Sequence, residues 1–235
     1  MTRKIVDLGE NEKPPTIPPL TPAERKYYLS STPRCDHDAK TFQKWLDAKS
    51  LRRERTESAT DFAARILQVL RADYEYFYDP DQDKRASVAC GLKATDCGGL
   101  TYLFVAAMRA NDIPARVLVG RHAQPRKPGS NPSQTEYDRL HVRAEMFVAN
   151  LGWVPVDPAY ARESKRPVTA FIGTDSGDLL VLHIDTDLRL PYPDKERVAD
   201  LLQINPSYWV NGRGTFDGQF APSGWELKAT AIEKK

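Results

Sequence analysis

Helix-like spacing in the first half of the chain and strand-like alternation in the second predict an α+β protein. Three observations carry that expectation. Apolar residues recur at three- and four-residue intervals between residues 40 and 110, and β-rich runs begin at Ala115. Short turn signals between those runs favour consecutive hairpins, hence a mainly antiparallel sheet with the helices covering one face. With 235 residues and 40% hydrophobic content, the chain can bury one good-sized core. The expected organisation is a Pro-rich N-terminal extension over 1–22 and one domain over 23–235.

The elements follow in order. The segment KPPTIPPLTP has no periodicity and reads as an extended arm. Thr21, Pro22 and Glu24 then form a capping-box start for a short helix. Phe42, Trp45 and Leu46 mark the apolar side of a second helix, with Asp38 as its expected cap. Phe62, Ile66, Val69 and Leu70 mark a third. An aromatic run, Tyr74, Tyr76, Phe77 and Tyr78, ends in a turn at Asp79, Pro80 and Asp81. The helix over ATDCGGLTYLFVAAMRA comes next, with Leu100, Leu103, Phe104, Ala107 and Met108 as a buried stripe and Thr95 or Asp96 as its cap. Strands are expected at 115–121, 141–148, 153–158, 178–190 and 224–232, with a polar loop over 125–138 bordering the cleft. No internal repeat is present.

Composition excludes several functions. Thirty-four basic residues against 32 acidic ones leave a net charge of +2, which gives no reason to invoke nucleic acid or an anionic membrane. Arg52, Arg53 and Arg55 read as a solvated face. No apolar run is long enough to span a membrane, and the first ten residues lack the core of a signal peptide. The expectation is a soluble chain, either cytoplasmic or exported with its leader absent from this sequence. Three cysteines, Cys35, Cys90 and Cys97, are too few and too odd in number for a disulfide framework and leave a free thiol, assigned to Cys97.

Cys97 stands at the first turn of its helix, where unpaired amides and the positive end of the dipole favour thiolate over thiol. Gly98 and Gly99 lower helix propensity, so a substrate or another backbone is expected to approach there. His141 opens one strand and Asp157 closes the next, with Asn150, Leu151 and Gly152 as the tight turn between them. Antiparallel pairing brings those two ends to one edge, where the carboxylate can orient the imidazole and the imidazole can take a thiol proton. One of the tyrosines 74, 76 and 78 is a candidate oxyanion donor. Cys35, Asp36, His37 and Asp38 are too close in sequence to converge on one ion. His183, Asp185 and Asp187 alternate along a strand and read as the polar outward face of a sheet. No cofactor or metal is called for.

The run DCGGLTYLFVAAMRANDIPARVLVGR, with HVRAEMFV and GWVPVDPAYA after it, resembles the transglutaminase-like (papain-like) cysteine hydrolase superfamily over about residues 60–190. That resemblance implies a papain-like, transglutaminase-core fold with the cysteine at a helix N-terminus packed on the sheet. Cys97 resembles the family nucleophile, His141 the general base and Asp157 the orienting carboxylate. Asp112 stands where the family phrase "GIPAR" has glycine, and Glu145 matches the acidic residue four positions after the histidine. Where the family commonly has "HAW", this chain has His141, Val142 and Arg143, so the aromatic wall beside the histidine is missing or supplied elsewhere. The implied activity is cysteine-dependent acyl transfer on protein or peptide amides, with hydrolysis favoured. Glutamine-to-amine crosslinking and a non-catalytic binding module that retains the fold are the alternatives.

Overall fold

The computed structural model describes residues 17–122, 140–175, 177–191, 196–199 and 201. The 125–138 loop, the strand expected at 224–232 and most of the Pro-rich arm lie outside the described residues. Helices lead: α1 Pro22–Leu29, α2 Lys40–Ala48 and α3 Ala59–Asp73, then β1 Glu75–Tyr76, α4 Ala86–Ala89, β2 Ala94–Thr95 and α5 Cys97–Ala110. Strands follow: β3 Ala115–His122, β4 Leu140–Val148, β5 Gly152–Val156, then α6 Pro158–Glu163, β6 Leu179–Ile184, β7 Leu188–Pro191 and β8 Glu196–Ala199. The α+β class is therefore observed, with a four-stranded sheet in the order β5-β4-β3-β6 and two two-stranded ladders, β1-β2 and β7-β8.

The chain divides into two compact units, one of residues 1–117 with 143–177, the other of residues 118–142 with 178–235. In the first, α5 is the core element. Its residues from Cys97 to Arg109 are buried on every side, not along one stripe as the spacing suggests. Arg109 can be buried because its Nε donates to the Ala115 carbonyl at 2.9 Å and its Nη1 to that of Ser30 at 3.1 Å. Thr21 and Glu24 complete the expected capping box of α1. Asp38 does not cap α2: the cap position is Ala39, without a side-chain bond, and Asp38 accepts from the Ser31 hydroxyl instead.

Helix α5 ends in a Schellman turn. Ile113 N–H bonds to the Met108 carbonyl at 3.0 Å and Asp112 N–H to that of Arg109 at 3.2 Å, which forces Asp112 to φ 60. A side chain in that left-handed conformation is strained, and its ion pair with Arg25 at 2.7 Å is largely exposed and contributes little. Asp112→Gly is therefore expected to stabilise the protein by about 0.5–1 kcal/mol in urea denaturation, after allowing for the extra freedom of glycine in the unfolded chain. Beyond the turn, β4 and β5 form the expected tight hairpin. Val148 pairs with Gly152 across a three-residue loop in which Asn150 takes φ 69.

In the second unit, β3 and β6 pair antiparallel with a bulge between Val119 and Gly120. A Cβ on Gly120 would lie 2.2 Å from the Leu180 carbonyl oxygen, so the ladder requires glycine there. The run 178–190 is not one strand. Asp185 and Asp187 take φ 57 and 72, breaking it into β6 and β7. His183 and Asp185 are buried, with His183 Nδ1 2.7 Å from the Asp185 carbonyl, which corrects the expectation of an outward polar face. Among the described residues, no helix is long and apolar enough to cross a membrane.

Candidate active site

Cys97 is the first residue of α5, held there from both directions. Upstream, β2 pairs in parallel with β1, and Phe77 N–H bonds to the Thr95 carbonyl at 3.1 Å, which fixes the backbone just before the sulfur. Downstream, Asp96 is the N-cap, its Oδ1 accepting from Gly98 N–H at 2.9 Å and Gly99 N–H at 3.2 Å. The carboxylate therefore takes two of the amides expected to be unpaired. Its own charge is met by Lys84, whose Nζ lies 2.8 Å from Asp96 Oδ2 and 5.4 Å from the centroid of the Tyr78 ring. Both charged side chains are buried. Lys84→Met would strand a buried carboxylate beside its two amide donors, and is expected to lower stability by about 2 kcal/mol, read by urea denaturation.

The second glycine of the pair has a local cause. A Cβ on Gly99 would lie 2.0 Å from the Thr95 hydroxyl oxygen, which itself donates to Gln82 Oε1 at 2.7 Å. At Gly99 the close approach within the protein is that of the Thr95 side chain.

Asp157 directly follows β5 and caps α6, its carboxylate accepting from Tyr160 N–H at 3.0 Å. Helix α6 is tied down by Arg71, whose Nε donates to the Ala161 carbonyl at 2.7 Å, and by Arg162, whose Nε donates to that of Tyr74 at 2.6 Å. Cys97 and Asp157 thus both stand at helix starts in the first unit, and α5 packs against α6.

His141 is the second residue of β4 and falls in the other unit. It is buried, and the His122 ring at the end of β3 stacks on it, with centroids 4.7 Å apart and planes 25° from parallel. His122 lies one residue beyond the strand expected at 115–121.

Other motif residues hold the frame. Arg116 places Nε 2.7 Å and Nη2 2.6 Å from Glu145 Oε2, while its guanidinium lies 4.0 Å from the Trp153 ring centroid. Trp153 meets Phe147 and Tyr28 edge-on. Arg143 is buried and pairs with Asp175 at 2.8 Å. Of the candidate oxyanion donors, Tyr74 is committed elsewhere. Burial pushes its phenol well above the usual tyrosine range, and its hydroxyl donates to the Cys90 carbonyl at 3.3 Å. In the Cys35 segment the side chains go to separate partners: Asp36 to Ser87 N–H at 2.9 Å and His37 to the Leu29 carbonyl at 3.1 Å.

Residues 48–158 match the transglutaminase-like superfamily. No curated protein matches the sequence. Among solved structures, a candidate cysteine protease from Cytophaga hutchinsonii is similar at 17% identity and a TM-score of 0.47, over 67% of this chain and 45% of that one. The periplasmic domain of TgpA from Pseudomonas aeruginosa is similar at 20% identity and a TM-score of 0.47, over 63% of this chain and 51% of that one. The ethylmercury-bound form of that domain matches at the same identity and TM-score, over 61% and 51%. The chain thus spans about half the length of each of these structures.

Proposed function

We propose that the protein is a cysteine-dependent acyl-transfer enzyme acting on amide bonds of proteins or peptides, with water as the usual acceptor. The match of residues 48–158 to the transglutaminase-like superfamily supports a cysteine-dependent activity. The observation that carries the reading is the placement of Cys97 as the first residue of a buried helix, behind an N-cap whose charge is balanced by Lys84. In the proposed cycle, Cys97 sulfur attacks the amide carbonyl and a carbon–sulfur bond forms as the thiol proton passes to His141. The oxyanion is held by N–H donors, among them the Cys97 amide, which the Asp96 carboxylate leaves to other uses. His141 returns its proton to the departing amine, leaving a thioester on Cys97. Water, deprotonated by His141, then releases the acid and restores the thiol. Asp157 orients the imidazole throughout.

A lysine amine attacking the same thioester would give crosslinking, so acceptor choice separates the two enzyme readings. A glutamine-bearing peptide offered with and without a primary amine tests this: ammonia release without adduct supports hydrolysis, and adduct formation in preference to free acid overturns it. Iodoacetamide separates an enzyme from a binding module. Cys97 is expected to be alkylated stoichiometrically at neutral pH before Cys90, whose thiol is pushed up by burial, and before Cys35, which is 1% exposed against 9% for Cys97. Slow, equal labelling of all three would favour the module.

A further inference from the structure

We propose that His122 is a positioning residue for His141, a flat wall that holds the base ring in one orientation; the inference rests on the reading of His141 as the general base. Both residues lie in the same unit, on neighbouring strands β3 and β4. Their rings are 4.7 Å apart, nearly parallel and buried, the offset-stacked arrangement that aromatic pairs prefer. His122 is itself fixed. Its backbone is paired with Leu179 in the β3–β6 ladder, and Asp178 Oδ1 stands 3.7 Å from its Nδ1.

The need for such a wall follows from the chemistry. A base that takes a proton from sulfur and returns it to nitrogen must present the same ring nitrogen at each step, and rotation about its last side-chain bond would move that nitrogen by ångströms. Where this chain has Arg143, the guanidinium is engaged by Asp175. The face of His141 is covered from β3 instead. What His122 contributes is a planar ring, so another flat ring should serve and a non-planar side chain of similar bulk should not.

The test uses the full-length protein and p-nitrophenyl acetate as an activated acyl donor. His122→Leu is expected to lower kcat at least tenfold with KM unchanged, and His122→Phe to stay within threefold of the parent protein. Should the leucine variant fail to fold, His122→Asn, polar and without a ring, carries the same expectation. Imidazole proton resonances give a readout independent of turnover: His141 should lose the ring-current shift of its neighbour in His122→Leu and keep one in His122→Phe. Parent-like turnover in His122→Leu, a phenylalanine variant as slow as the leucine one, or an unchanged His141 resonance in His122→Leu would each overturn the inference. Parent-like turnover in His141→Ala would instead remove the base reading, and the positioning role with it, a result distinct from one in which His141→Ala is inactive and His122→Leu is not.

Discussion

Cys97→Ala is expected to lower amide or ester turnover by about 10⁴- to 10⁶-fold, with the far-ultraviolet spectrum and melting temperature close to those of the parent protein. The size of the loss reflects what the sulfur does. In the proposed cycle no thioester forms without it, and N–H donors and binding alone would give only the residual catalysis seen when a nucleophile is removed from such sites. The small effect on the fold reflects what surrounds the sulfur. The helix start is held by Asp96, Lys84 and the Thr95–Gln82 pair, none of which needs the Cys97 side chain. Steady-state kinetics beside thermal denaturation separates the two effects. A variant that loses activity only because it unfolds would show both changes together.

Arg116→Ala is expected to cost about 3–5 kcal/mol of stability, the largest structural effect among the motif residues. Removing the guanidinium breaks its ion pair with the Glu145 carboxylate, 3% exposed as a side chain, and takes from the Trp153 face the cation lying over it. Arg116→Lys should recover only part of this. A lysine restores a point charge but neither the two nitrogens directed at Glu145 Oε2 nor the plane lying over the indole. Urea denaturation of the three proteins checks the order: parent most stable, lysine intermediate, alanine least. An alanine variant within about 1 kcal/mol of the parent would show that this pair contributes no more than an exposed one.

These two residues mark the border between what the amino-acid sequence reveals and what it hides. Cys97 stands out because its helix start combines a cap residue, glycines and a long apolar run, all local signals. The β4–β5 hairpin is equally plain, since Asn150 and Gly152 are turn residues between alternating strands. Non-local signals are hidden. Lys84 lies 13 residues before Cys97 in a polar stretch, and nothing near it in sequence announces a buried partner for Asp96. His122 follows an expected strand by one residue, so its stack on His141 depends on β3 pairing beside β4, which spacing does not encode. Glu145 is visible as a motif match, but its partner Arg116 sits 29 residues away on another strand. The run 178–190 misleads because alternation persists through Asp185 and Asp187, two residues that tolerate positive φ and there end a strand. Helix α5 misleads for a related reason. Its apolar stripe is where the spacing places it, yet neighbours from α1, α3, α4 and α6 bury the remaining faces as well, which only the tertiary arrangement can supply.

Passage of acyl groups through Cys97, the claim on which the rest depends, is tested most directly by trapping the intermediate. The protein is mixed with p-nitrophenyl acetate, quenched in acid within the first turnover and digested for mass spectrometry. One acetyl group is expected on the peptide containing Cys97, released by hydroxylamine at neutral pH, and none in Cys97→Ala. Sustained ester turnover with no acetyl on Cys97, or with the label on Cys35 or Cys90 instead, would contradict that claim.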